Sequence, residues 1–495
     1  MKKAWLRWLL AGMVVAGCQP SSAVPEPKVS AGASSISEEE HSGIQWGLNW
    51  SAKSLTQARY IPDAATHISF TVMSSSGEEI LARTFKRADL ADQPLSLELP
   101  PGAGYTAVAR FFDEADTLVA EGISHPFDVS SQQVVSLEVS VTPVISSVAG
   151  TGLSGYSGDG GPASEAQIFL PMGMASGADG ALFLADASNH VIRRIDADGT
   201  IRTVAGTKVQ SPSRPALGDN GPVITATLSS PNAVALAPNG DLFIADTTNR
   251  QLRVIAALDG SRYGMMLTKG NIYTLFASSV PQPNMYGLAV DQAGNAFVGD
   301  RYRLMMHSLD GQMSQVAGTN TIGAGGDGPA LESALCIPDG LVVDPVGNVL
   351  FSERSNHRIR MLCRKPGAYF GIEMASGSVY TIAGVGQPTS DSQLLGDGKD
   401  GLQASFNFPR GIAMDKRGNL FIVDSGNQRI RILSPDRRIS TFAGTGERTP
   451  ADGSKLGDGA SALKATFWNP VGVLVSEDTL YISDSSNHRV RKIRL

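Results

Sequence analysis

The chain repeats itself from Ala181 onward, and this self-similarity limits the fold more than any single motif does. The stretch ALFLADASNHVIRRI, followed by DGTIRTVAG, returns as DLFIADTTNRQLRVI with NIYTLFA from Asp241 and as VLFSERSNHRIRML with SVYTIAG from Val349. NLFIVDSGNQRIRIL with RISTFAG begins at Asn419, and TLYISDSSNHRVRKI begins at Thr479. A weaker copy, NAFVGDRYRLMMHSL with QMSQVAG, begins at Asn295 and lacks the Asn turn, which brings the copies to six. Each copy holds four short runs separated by turn residues, the pattern of a four-stranded antiparallel unit. In LFLAD, Leu182 and Leu184 point to one face, Phe183 and Ala185 to the other. A sheet apolar on both faces needs neighbours on both sides, and radial packing of such units supplies them.

The turn acids Asp186, Asp246, Asp300, Glu353, Asp424 and Asp484 are spaced by 60, 54, 53, 71 and 60 residues. That spacing is a core of about 45 residues carrying insertions of different length. The sixth copy reaches Leu495 without its last strand, while an unattached copy of that strand, Ile145 to Gly150, stands before the first. Pairing the two ends would remove an open sheet edge. The expectation is an all-β chain: a six-bladed β-propeller over residues 143–495, closed by an N-terminal strand and preceded by a small β-sandwich.

Two stretches resemble the NHL-repeat family: GDGGPASEAQIFLPMGMA (158–175) with LFLADASNHVIRRI (182–195), and GDGASALKATFWNPVGVLV (457–475) with LYISDSSNHRVRKI (480–493). The resemblance extends over all six units. It implies a propeller used to bind protein, nucleic acid or glycan and, in a few relatives, a lyase or hydrolase centre on the ring axis. The third unit departs from the pattern, with neither a Gly-Asp-Gly segment nor an Asn turn.

Strand direction decides which loops share a face. The Gly-Asp loops at Asp159, Asp219, Asp327, Asp397 and Asp458 fall on the same face as the turn residues Asn189, Asn249, Asn356, Asn427 and Asn487. Long connections on one rigid face make it the candidate binding surface, with Trp468 as an aromatic contributor. A repeated Asp or Asn equally suits local turn bonding. The arginines Arg193, Arg253, Arg360, Arg431 and Arg491 recur in the same way and are read as structural. His190, His357 and His488 each follow a turn Asn; equivalent positions in different blades do not converge on one metal ion.

The innermost strands read MGMA, AVAL, GLAV, GLVV, GIAM and GVLV, an apolar wall without a catalytic set. Asp291, Asp344 and Asp415 follow three of these strands and are weak candidates for a structural Ca2+, turn acids being the simpler reading. No other cofactor is expected.

The first 17 residues read as an export signal: Lys2, Lys3 and Arg7 precede an apolar stretch. Val15-Ala16-Gly17-Cys18 resembles a bacterial lipobox, which implies lipidation at Cys18, and Gln19 behind it suggests the outer membrane. Residues 18–43, rich in Ser, Ala, Pro and Glu, read as a flexible tether, and 44–142 as an immunoglobulin- or fibronectin-like sandwich. Residues 19–143 carry 7 Lys/Arg against 16 Asp/Glu, whereas 144–495 carry 31 of each. The repeat region therefore has no basic field for nucleic acid. Export permits a disulfide between Cys336 and Cys363, with two buried thiols as the other reading.

The main functional expectation is a lipid-anchored binding or scaffolding protein, more a non-enzyme than an enzyme, presenting a loop face to a protein or glycan of the cell envelope. The alternative is a metal-assisted lyase or hydrolase acting on an exported glycan, peptide or lactone.

Overall fold

The computed structural model describes residues 4–7, 43–47, 65–86, 94–99, 102–124, 126–129, 138–208, 217–277, 285–450, 453–454 and 456–495. Cys18 and nearly all of the expected tether lie outside the described residues. Among the described residues no helix is long and apolar enough to cross a membrane. The chain divides into two units, Lys3–Pro143 and Val144–Leu495.

In the first unit, Ala4–Arg7, Glu138–Pro143, Leu118–Ser124, Gly102–Phe112, His67–Met73 and Glu79–Lys86 follow one another in an antiparallel sheet. Gly102–Phe112 alternates strictly enough to bury Tyr105, Ala107, Ala109 and Phe111 on one face. Ile68, Phe70 and Val72 of the adjoining strand are buried with them. Gly43–Gly47 and Pro94–Glu98 form a separate two-stranded ladder. Where a sandwich of two packed sheets was the expectation, the described residues of this unit form one main sheet with a buried face and a separate two-stranded ladder.

The second unit is six antiparallel sheets in a propeller-like arrangement, each built on four strands in sequential order. The first is Pro171–Ser176, Leu182–Asp186, Val191–Ile195 and Ile201–Ala205. The sixth takes three strands from Pro470–Arg494 and its fourth from the other end of the unit, Ile145–Ala149, in antiparallel register with Ile145 opposite Ile493. Blades two and four each add a short hairpin between their last two strands, Gly260–Leu267 and Gly367–Met374.

The innermost strands touch in cyclic order. The Gly173 amide donates to the Asn232 carbonyl at 2.9 Å, and Asn232 Nδ2 donates to the Tyr286 carbonyl at 2.9 Å. From there glycine allows the approach: a Cβ on Gly287, Gly340, Gly411 or Gly472 would stand 2.2, 2.3, 2.6 or 2.3 Å from the carbonyl oxygen of Asp339, Arg410, Val471 or Met172 respectively. The last of these returns to the first blade.

Within each of five blades one buried arginine ties three segments together. Arg431, fully buried, reaches Asp424 at 3.3 Å, Asp397 at 2.6 Å and the Leu395 carbonyl at 3.0 Å. Asp424 in turn accepts from the Asn407 amide and from Asn427 Nδ2. Arg193, Arg253, Arg360 and Arg491 repeat the arrangement with Asp159, Asp219, Asp327 and Asp458. Burial pushes the carboxyls of Asp186 and Asp484 up to about 6. In the sixth blade Ser147 of the N-terminal strand donates its amide to Asp458 at 3.1 Å, so the closing strand completes that blade's network.

Neighbouring blades are latched by the residue after the turn Asn. His190 Nδ1 accepts from the Ser230 amide at 3.0 Å, His357 Nδ1 from Phe408 at 3.2 Å and His488 Nδ1 from Leu170 at 3.4 Å. Gln428 Oε1 accepts from the Asn469 amide in the same way.

The disulfide between Cys336 and Cys363 is not formed; both are free and buried. Cys336 binds Glu353 at one end of the strand Val349–Glu353, while Cys363 follows Leu362, the partner of Val349 at the other end. A strand of that length separates them by about 13 Å, well beyond disulfide reach.

Two outcomes are expected. Arg431→Met should cost about 3–5 kcal/mol in denaturant unfolding, because Asp424 is left buried and unpaired; a loss within 0.5 kcal/mol, the ordinary range for a surface change, would show that the network is not needed. The second concerns pH: burial holds His190, His357 and His488 below the ordinary 6.5. Each latch is then intact above that value and its contribution is lost as pH falls below it. The raised turn acids act in the opposite sense, losing stability as pH rises from 3.8 to about 6, so the measurement is a difference. The thermal midpoint of the His190→Gln/His357→Gln/His488→Gln variant should fall less than that of the parent between pH 7 and pH 5, the range about the His value.

Candidate functional site at the axial mouth

The residue just before each axial glycine or alanine does not repeat. Across the six blades it reads Met172, Asn232, Tyr286, Asp339, Arg410 and Val471, preceding Gly173, Ala233, Gly287, Gly340, Gly411 and Gly472. A Pro-x-Gly turn into the strand fixes this position in blades one, four, five and six, where the register shifts by a bulge immediately after the proline. The innermost strands close around a cavity of about 70 Å3 lined by Asn232, Tyr286 and Asp339 with small aliphatic residues. A space of that size holds about five waters, so a larger ligand is confined to its mouth.

Three charged side chains meet there. Arg410 Nε donates to Asp339 Oδ2 at 3.1 Å across the boundary between blades five and four. Arg354 Nη1 stands 3.6 Å from the same oxygen. Pro338 is paired with Glu353, which places Asp339 and Arg354 at the same end of blade four. Asp339 and Arg410 are buried, whereas the Arg354 side chain is 32% exposed. Burial lowers the Arg354 guanidinium, and the second guanidinium, Arg410, lowers it further. Blade three carries Arg301 at the position of Arg354.

The wall expected to be apolar and without a catalytic set is lined in part by polar residues, Asn232, Tyr286 and Asp339. In blades four and five the apolar segments GLVV and GIAM begin one residue after Asp339 and Arg410. The signal was available in the repeat itself: aligned copies agree at the turn acid and the buried Arg, and disagree at the residue before the glycine.

The other candidates are placed elsewhere. Asp159, Asp219, Asp327, Asp397 and Asp458 each bind the buried Arg of their blade, at 2.6 to 3.3 Å, and keep 28 to 45% side-chain exposure. Trp468 lies under the Arg448 guanidinium, 3.7 Å from the ring centroid. Asp344 accepts the Val346 and Asn348 amides and Asn348 Nδ2; Asp291 and Asp415 cap their own turns in the same manner. Those carboxylates are occupied by turn donors. Among the described residues no three His, Cys, Asp or Glu side chains gather as metal ligands.

Comparison with known proteins agrees with this architecture. The teneurin NHL domain family matches residues 146–222, and the NHL repeat matches 406–433 and 467–493. Teneurin-3 of Danio rerio is 28% identical over 320 residues, 57% of this chain and 12% of the relative. NHL repeat-containing protein 2 of Homo sapiens is 24% identical over 354 residues, 67% of this chain and 40% of the relative. The chain therefore spans well under half the length of these relatives. Among solved structures, an auxiliary nutrient binding protein from Bacteroides ovatus superposes with a TM-score of 0.50 at 15% identity, covering 92% of this chain and 94% of that one. A virginiamycin B lyase from Staphylococcus aureus gives 0.40 at 13% identity, covering 66% and 94%. The expectation that the chain is more a non-enzyme than an enzyme is corrected: it took the axis to lack ionisable groups, and Asp339, Arg354 and Arg410 meet there.

Proposed function

We propose, on the premise of an NHL-repeat domain of propeller-like architecture, that the chain is a lyase- or hydrolase-type propeller acting on an exported glycan, peptide or lactone at its axial mouth. One observation carries this reading: the repeat breaks at the six positions facing the axis, where Tyr286, Asp339 and Arg410 replace scaffold residues beside a small cavity. Two guanidiniums fixed near one point are preorganised positive charge, the arrangement that stabilises negative charge developing on a substrate oxygen. Tyr286, which lines the same cavity as Asp339, is the phenol assigned the proton transfer in this proposal. A metal is not assigned: Asp339 is a single carboxylate already shared by two arginines, a donor set that does not fit a three-ligand centre.

The finer account of the chain belongs to the same proposal. Six blades closed by the N-terminal strand are supported by the cyclic contacts of the innermost strands and by the pairing of Ile145–Ala149 with the last strand. Export and lipid anchoring at Cys18, in the outer membrane, rest on the lipobox-like sequence. Capture of a nutrient or glycan is the step this face would share with auxiliary nutrient binding proteins.

The test is a panel of lactones, peptides and acidic oligosaccharides incubated with the purified chain, with products identified by mass. Tyr286→Phe and Arg354→Gln should each lower turnover of a responsive substrate by about 10²-fold while the thermal midpoint is retained. Turnover that survives both changes, or no turnover across the panel, counts against the proposal.

A further inference from the structure

The charges at the axial mouth do not cancel. Arg410 and Arg354 share one oxygen of Asp339, two positive groups against one negative. Among the described residues the Arg354 side chain makes no closer polar contact than its 3.6 Å approach to Asp339. The repeated guanidiniums are balanced differently: Arg431 meets two carboxylates and a carbonyl, and Arg491 likewise meets two carboxylates. The mouth thus differs from every repeated arginine site in setting two cations against one carboxylate, where each of those sites sets one cation against two.

We infer that this mouth takes the carboxylate of a small acidic sugar, held by the free edge of Arg354 and the cation shared with Arg410, with Tyr286 against the ring. The inference deepens the proposed function and rests on the mouth being the working site. A surplus of one positive charge matches a singly charged group; a dianion would bring an uncompensated charge into a partly desolvated site. A planar carboxylate also suits the fork of a guanidinium. An aromatic wall with a few convergent polar groups is how a sugar ring is held and oriented.

Calorimetric titration of the full chain with glucuronate, glucose and inorganic phosphate tests this. Glucuronate should bind in the millimolar range or tighter, glucose and phosphate more weakly. Arg354→Gln should weaken glucuronate about tenfold, the loss of one hydrogen bond to a charged group. Asp339→Asn should tighten it several-fold, because the competing carboxylate is neutralised, whereas a purely structural Asp339 would only lose binding. Arg354 is partly exposed, so its variant keeps the test sound if the Asp339 variant unfolds. Equal binding of glucuronate and glucose, both weakened by Arg354→Gln, overturns the acidic-sugar assignment and leaves the mouth as a ligand site. Binding indifferent to Arg354→Gln overturns the placement as well, and tighter binding of phosphate, or no binding of glucuronate, overturns the inference.

Discussion

The propeller-like unit depends on burying a guanidinium in five of its blades. A charge with no exposed surface must be met by opposite charge and by hydrogen bonds, and here it is met by a turn acid, a loop Asp and one or two carbonyls. Three segments far apart in sequence are thereby fixed to one group. The match is incomplete: among the described residues the Nε of Arg193, Arg253, Arg360 and Arg431 finds no partner, a cost the arrangement carries in four blades. Arg491 escapes it, since its Nε reaches Asp458.

That constraint sorts the polar residues into two kinds. Positions that recur are consumed by the blade: the Gly-Asp loops hold the arginine, the turn Asn holds the turn acid, and the following His or Gln holds the next blade. What is left for chemistry lies where copies disagree. Blade three shows this twice. It lacks the buried arginine and binds its turn acid Asp300 to Arg303 instead, and it contributes Tyr286 to the axis.

Much of the fold was legible in the sequence because repetition reveals what each unit needs. The six copies, the turn acids and the spare strand at 145–150 could be placed by comparing the chain with itself, and in the structure they are sheet after sheet. The first unit was less legible, since its alternation is interrupted and its described strands form one main sheet with a minor ladder. The axial mouth escaped the same reading for a physical reason. A search for shared residues discards those that differ, and Asp339 and Arg410 meet through a bulge and a blade boundary that no local pattern encodes. For Cys336 and Cys363, compartment and blade membership carry no information on the strand length between them.

The borrowed strand has a mechanical consequence. Pro143 leads through Val144 directly into Ile145–Ala149, which lies antiparallel along the chain's last strand. Ile145 stands opposite Ile493, so the entry of this strand and the end of its partner lie at the same end of the ladder. Tension drawn between those two segments would open the ladder pair by pair from that end, and the sixth blade is the seam at which such a pull would first be felt.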